Sequence, residues 1–201
     1  MKIKNTNQLR KLYSLPTGRA KDKQLISLDA HAINFIEKSP FLVLSTSNHN
    51  RKMDASPRGG MPGFVKVADE KTLIVPDAKG NNRLDSLVNI VETGHVGLLF
   101  LIPGVDETLR INGNAYISSD VKYHKLFLEE NKTPQTCIII SIEELFLHCA
   151  KAFMRSKLWQ EDIKINRKEF PTMGEMLKDQ LGSNEIAETH EDMIKRYAKD
   201  L

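Results

Sequence analysis

The chain has 201 residues, 40% of them hydrophobic and 27% charged, with a formal net charge of +3. This is ordinary globular usage, long enough to bury a core, and it excludes a chain disordered throughout. Lys and Arg are spread among acidic residues rather than gathered into the basic patch of a nucleic-acid binder, so a small anionic ligand fits the charge better. Two cysteines, Cys137 and Cys149, are too few for a disulfide framework or a cysteine-rich zinc site and read as free thiols. No apolar stretch follows the N-terminal Met1-Lys2-Ile3-Lys4-Asn5, so no signal peptide is expected. The longest apolar run, Val96 to Ile102, is too short to span a bilayer as a helix. The expected location is cytoplasmic.

Residues 1–24 are polar and basic and read as an arm with one short helix. Asp29 to Lys38 has helical spacing, and Pro40 stops it. Phe41 to Ser47 and Lys52 to Pro57 are predicted strands joined by a turn at Asn48-His49-Asn50. Gly63 to Val67 and Thr72 to Pro76 form a second predicted pair, turning at Asp69-Glu70-Lys71. Asn82 to Val91 places Leu84, Leu87, Val88 and Val91 on one helical face, and Gly94 ends it. His95 to Ile102 reads as a buried strand, and Glu107 to Ser118 as a long strand with a break at Gly113. Asp120 is the expected N-cap of a helix through Glu130. Thr136 to His148 is the last strand, and Cys149 to Lys157 starts another helix. Beyond Glu161, one helix opens at Pro171-Thr172 and runs through Leu181, and Asn184 is the expected cap of a final one.

This order does not alternate strand with helix, which argues against a doubly wound parallel sheet. An antiparallel barrel, closed or partly closed and flanked by helices, fits better. Neither a Gly-x-Gly-x-x-Gly fingerprint nor a P-loop is present.

Two segments carry candidate chemistry: Asp54-Ala55-Ser56-Pro57-Arg58-Gly59-Gly60 and Pro76-Asp77-Ala78-Lys79-Gly80-Asn81-Asn82-Arg83-Leu84-Asp85-Ser86. Each joins a strand end to a polar, Gly-containing connection that holds an arginine. Phosphate recognition uses such parts: guanidinium forks, a hydroxyl, exposed backbone N–H groups and a helix N-terminus. Asn82 and Arg83 are expected at the start of a helix, where the macrodipole favours an anion. Both segments also read as ordinary turns, and the residue pattern alone leaves the two readings open. Arg110 reads either as a paired strand arginine or as an interface contact. Trp159 and His95 read as structural. His148 and Cys149 are adjacent, but no metal motif accompanies them.

The blocks Asp54-Ala55-Ser56-Pro57-Arg58-Gly59, Leu73-Ile74-Val75-Pro76-Asp77, Gly80-Asn81-Asn82-Arg83-Leu84-Asp85-Ser86-Leu87, Val96-Gly97-Leu98-Leu99-Phe100-Leu101-Ile102-Pro103-Gly104 and Glu107-Thr108-Leu109-Arg110-Ile111-Asn112-Gly113 stand in order and at natural spacing. Together with His148-Cys149-Ala150-Lys151-Ala152 and Arg155-Ser156-Lys157-Leu158-Trp159, they resemble an FMN-dependent subfamily of pyridoxamine-5'-phosphate-oxidase-like flavoproteins. The resemblance implies a six- or seven-stranded antiparallel split β-barrel over residues 29–160, with an arm at 1–28 and a helical appendage at 161–201. It implies FMN at the interface of a homodimer and flavin-dependent oxidoreductase chemistry on a small molecule. Ser56, Pro57 and Arg58 are then expected along the ribityl phosphate and flavin, Pro76 and Asp77 along the flavin edge, and Asn82 and Arg83 on the phosphate. Lys151, Arg155 and Ser156 are expected to reach the flavin of the neighbouring subunit. The chain departs from true pyridoxamine-phosphate oxidases after Trp159, where Gln160-Glu161-Asp162-Ile163-Lys164 stands in place of an Arg-x-His-Asp-Arg signature. That puts the vitamin B6 substrate site in doubt. The alternative class is a non-enzymatic flavin or haem carrier, or a flavin-based stress sensor; for haem, His95, His124 and His148 in the barrel region are the candidate axial ligands.

Overall fold

A computed structural model of the chain describes residues 2–80, 82–130 and 133–200. The chain forms two compact units, Met1–Arg155 and Ser156–Leu201.

The first unit opens with two short helices, α1 (Thr6–Arg10) and α2 (Arg19–Asp22), followed by α3 (Ala30–Lys38). Asp29 caps α3 by accepting from Ala32 N–H at 2.8 Å, and the helix buries Ala32, Phe35 and Ile36. The strands are β1 (Phe41–Ser47), β2 (Met53–Gly59), β3 (Lys66–Asp69) and β4 (Thr72–Pro76). After α4 (Asp85–Thr93) come β5 (His95–Leu101) and β6 (Thr108–Ser118). The single α-turn α5 (Val121–His124) runs into a 3-10 stretch, and β7 (Cys137–His148) leads to α6 (Lys151–Ser156). All seven strands join one antiparallel sheet in the order β2-β1-β5-β6-β7-β4-β3. Its outer strands, β2 and β3, are not paired with each other among the described residues, so the sheet is not closed.

Period-2 alternation builds the core. Leu42, Leu44 and Thr46 point inward from β1, and Val96, Leu98 and Phe100 from β5. Ile111, Ile138 and Ile140 complete the inner layer, each fully buried. Each such side chain contributes about 1.5–3 kcal/mol by leaving water. The helix α4 covers this end of the sheet, with Ile90 in the core and Asn89 donating to Thr46 Oγ1 at 2.9 Å.

Several boundaries differ from the sequence expectation. The second strand pair begins at Lys66 rather than Gly63, because Gly63 has φ +82° and Phe64 N–H closes a turn onto Met61 O. The helix expected from Asn82 begins at Asp85, since Asn82 and Leu84 both sit at φ 58°, which a right-handed helix excludes. The helix expected over Asp120–Glu130 is α only through His124; Asp120 does cap it, accepting from Lys122 N–H.

In the second unit, Thr172 and Glu175 form a reciprocal capping box at the start of α7 (Met173–Leu181). The final helix, α8 (His190–Tyr197), is capped by Thr189 rather than Asn184, because the Thr189 hydroxyl accepts from Asp192 N–H. Among the described residues, no helix is long and apolar enough to cross a membrane.

Candidate functional site

The alternation of β2 places Asp54, Ser56 and Arg58 on one face, half-buried, and Met53, Ala55 and Pro57 on the other, exposed. The register sets Arg58 opposite Leu42, Ser56 opposite Leu44 and Asp54 opposite Thr46, so the three polar residues share the face of the core. A polar row on a core face must be satisfied by something that packs over it. Here that element is α4, whose first turn brings Ser86 down onto the row, 2% exposed.

Ser86 joins the row together. Its hydroxyl donates to Asp54 Oδ2 at 2.5 Å and accepts from Arg58 Nη2 at 3.1 Å. Ser56 Oγ donates to the same carboxylate, at 2.9 Å to Oδ2. Arg58 Nη1 donates to Pro57 O at 3.0 Å. The remaining donor of this guanidinium edge, Nε, is buried and has no hydrogen-bond partner among the described residues. A donor left in that state costs about 1–3 kcal/mol, which a ligand oxygen would recover.

Asp77 adds the opposite wall. It follows β4 and is fixed by its backbone N–H donating to Thr136 O at 3.0 Å. Burial pushes its carboxyl above the usual range, and the Arg58 guanidinium pulls it partly back. Arg58 lies on an outer strand and Asp77 beyond the penultimate strand of the opposite side, so their electrostatic contact records how strongly the sheet curls. Behind Asp77, the Cys137 thiol is pushed up to about 11, first by burial and then by Asp77.

The other expected site residues are placed differently. Pro57 points away from Ser56 and Arg58, onto the outer face of β2. Pro76 ends β4, paired with Cys137. Asn82 and Arg83 precede α4 rather than opening it, and Arg83 Nε bonds Asp85 Oδ2 at 2.8 Å with its side chain 73% exposed. Asn81 lies outside the described residues. Lys151 and Arg155 are exposed on α6, which follows β7, four strands across the sheet from β2. That is a span of four strand spacings of about 4.8 Å each. Ser156, the last residue of α6, is the first of the second unit. Sequence reasoning quoted Asp54 and Ser86 without giving them roles. The signal for Asp54 was its i, i+2, i+4 relation to Ser56 and Arg58.

Arg110 lies on the outer face, its guanidinium 5.4 Å from the Phe146 ring centre and 3.9 Å from Glu144. The His148 ring packs tilted against Phe146, with ring centres 4.9 Å apart, and Cys149 is exposed. Among the described residues, no group of three or more His, Cys, Asp or Glu is placed to hold a metal.

Arg58 is thus half-buried, short of one acceptor at Nε, and backed by a hydroxyl row on an open antiparallel sheet. The sequence model of pyridoxamine 5'-phosphate oxidase matches residues 28–149. The chain belongs to this family. Its members share a flavin-binding, oxidoreductase-type fold. Two structures of the HupZ protein of Group A Streptococcus resemble the present member in fold. One is 17% identical, with a TM-score of 0.52 over 62% of this chain and 100% of that one. The other is 17% identical, with a TM-score of 0.51 over 60% and 93%. An FMN-binding protein from Syntrophomonas wolfei is 14% identical, with a TM-score of 0.42 over 58% and 88%. No curated protein matches this family member's sequence.

Proposed function

We propose that this member of the pyridoxamine 5'-phosphate oxidase family is an FMN-binding protein that works as a cytoplasmic homodimer and serves as an oxidoreductase on a small molecule. The observation that carries the reading is the buried, unpartnered Nε of Arg58. It sits on a guanidinium that Ser86 and the Pro57 carbonyl already orient, so a phosphate oxygen would meet a pre-aimed donor. Ser56 turns its hydroxyl from Asp54 to the same anion, since a hydroxyl rotor follows its partner. Asn82 and Arg83 close the phosphate end from the connection before α4.

Pro76 and Asp77 line the flavin edge, while Pro57, on the outer face of β2, lies on the dimer side. Burial raises the Asp77 carboxyl above its ordinary value, so it keeps its proton to higher pH than an exposed aspartate does. FMN, when bound, supplies hydride or electron transfer; the chain supplies orientation, a cationic clamp and a dry wall. The missing Arg-x-His-Asp-Arg signature after Trp159 argues for an acceptor other than pyridoxamine phosphate.

The homodimer is supported by the outer face of the sheet. Pro57, Val43, Leu99, Arg110 and Phe146 form one cross-strand row there, each half-buried or exposed, where an isolated subunit would present polar residues. Lys151, Arg155 and Ser156 would serve the partner copy's flavin.

Absorbance of the protein after FMN loading and desalting tests this. Retained bands near about 370 and about 450 nm are the expected result. A Soret-type band would replace the flavin with haem, and a colourless protein that cannot be loaded would overturn the reading.

A further inference from the structure

The modest net charge conceals a segregation, which corrects the even spread read from composition. Residues 2–23 hold seven Lys or Arg against the single acid Asp22, a net charge of +6. Residues 169–197, through the end of α8, hold seven Asp or Glu against Lys178, Lys195 and Arg196, a net charge of −4, with Arg196 paired to Glu188.

Both segments also carry apolar side chains that nothing covers. On the arm, Leu9, Leu12 and Tyr13 follow the i, i+3, i+4 spacing of one helix face and are 40%, 68% and 64% exposed. Hydrogen bonds from Lys11 N–H to Asn7 O and from Tyr13 N–H to Leu9 O carry the helical turn past α1. On α7, Met173, Leu177 and Leu181 repeat every four residues and are 44%, 45% and 77% exposed. The helix ends of this acidic segment are well specified, by the Thr172–Glu175 box and the Thr189 cap, yet no described residue of the second unit is buried. Short helices without a buried face are marginal in water, so both segments need a covering surface.

We propose that the basic arm of one copy docks on the acidic α7–α8 segment of a second copy, apolar stripe on apolar stripe, with the charges matched around it. The arm is anchored where it meets its own sheet, with Leu25 and Leu145 exchanging backbone hydrogen bonds at 2.9 Å and Lys23 Nζ donating to Leu147 O at 2.6 Å. An anionic membrane could draw the arm, but it would leave the net negative charge of residues 169–197 unmatched; a second copy answers both. In a two-fold dimer the contact forms twice. This inference rests on the homodimer reading above.

The test is sedimentation equilibrium of the full chain at low salt. The arm reversal Arg10→Glu with Lys11→Glu, and separately the acidic-segment reversal Asp179→Lys with Glu185→Lys, each weaken the dimer by about tenfold, and combining all four substitutions restores it. The weakening shrinks as salt screens the charges. If either reversal leaves the dimer constant unchanged, or the combination fails to restore it, the proposal falls while the homodimer reading stands. A wild-type chain that sediments as a monomer sinks both. A reversal that lowers thermal stability but not dimer affinity places the docking within one chain and overturns the proposal. So does an arm reversal that only abolishes binding to phosphatidylserine vesicles.

Discussion

Arg58 and Ser86, 28 residues apart in sequence, are joined by a 3.1 Å hydrogen bond from Nη2 to Oγ that fastens β2 to the first turn of α4. The bond fixes the guanidinium so that its Nε faces inward unpaired. Arg58→Ala is therefore expected to weaken FMN retention by about 1.5–3 kcal/mol, the value of a hydrogen bond to a charged group. Ser86→Ala should weaken it less, because the charge remains and only its aim is lost. Fluorescence titration of the apoprotein with FMN gives both constants. Equal affinity in wild type and Arg58→Ala would remove Arg58 from the site.

Asp77 gives a pH signature that needs no cofactor. Burial raises its carboxyl above the ordinary 3.8, and Arg58 opposes the rise by less. The folded chain thus holds this proton to higher pH than the unfolded chain. The folded state is therefore favoured below the raised value and loses that advantage as pH climbs from the ordinary carboxylate range through it. Asp77→Asn removes the titration. Its melting temperature relative to wild type should rise as pH climbs from the ordinary carboxylate value of 3.8 up through the raised one. In the Arg58→Ala background the rise should begin at the same pH, set by the unfolded chain, and extend to higher pH. A difference that stays constant with pH would show that Asp77 is not buried as described.

The two thiols should separate cleanly. Cys137 is fully buried and its thiol is held near 11, whereas Cys149 is exposed. Alkylation follows thiolate fraction and access. Iodoacetamide at neutral pH is expected to label Cys149 alone in the native protein, and Cys137 only after unfolding, as read by peptide mass. Native labelling of Cys137 would contradict the packing around Ile74, Phe127 and Ile139.

The strands and the arginine-bearing connections were legible in the sequence because period-2 patterning and turn residues are local signals. The start of α4 was not. Leu84 looks like part of an apolar helical face, but its backbone is left-handed, and only the chain's route from β4 over β2 requires that. The cap of α8 was misplaced for a similar reason. Asn184 and Thr189 are both good N-caps by type, and the choice between them depends on where the connection after α7 ends. Ser86 escaped notice because its importance lies in meeting β2, a contact made by tertiary packing. The roles of Asp54 and Ser56 were half visible, since their alternation with Arg58 fixed a common face without showing what covered it.

Gly113 allows the last prediction. A break was expected there, and β6 shifts register against β7 between Asn112 and Gly113. The reason is close approach. A Cβ on Gly113 would collide with the Ser141 carbonyl oxygen, a backbone atom that cannot turn aside. Gly113→Ala must therefore push β7 outward at the point where the two longest strands of the sheet pair. Overpacking of this kind costs about 1–3 kcal/mol, and here the upper part of that range is expected because backbone rather than side chain must yield. Gly80→Ala is the control. Its added Cβ would meet only Ala78 O, at 4.0 Å, so the change should be close to neutral. Urea unfolding followed by far-UV circular dichroism gives both stabilities, with the slope confirming that the unfolding transition is unchanged in extent. If Gly113→Ala is as stable as Gly80→Ala, the bulge is not where the ladder shows it. The β6–β7 register that sets Arg110 opposite Phe146 on the outer face would then have to be redrawn.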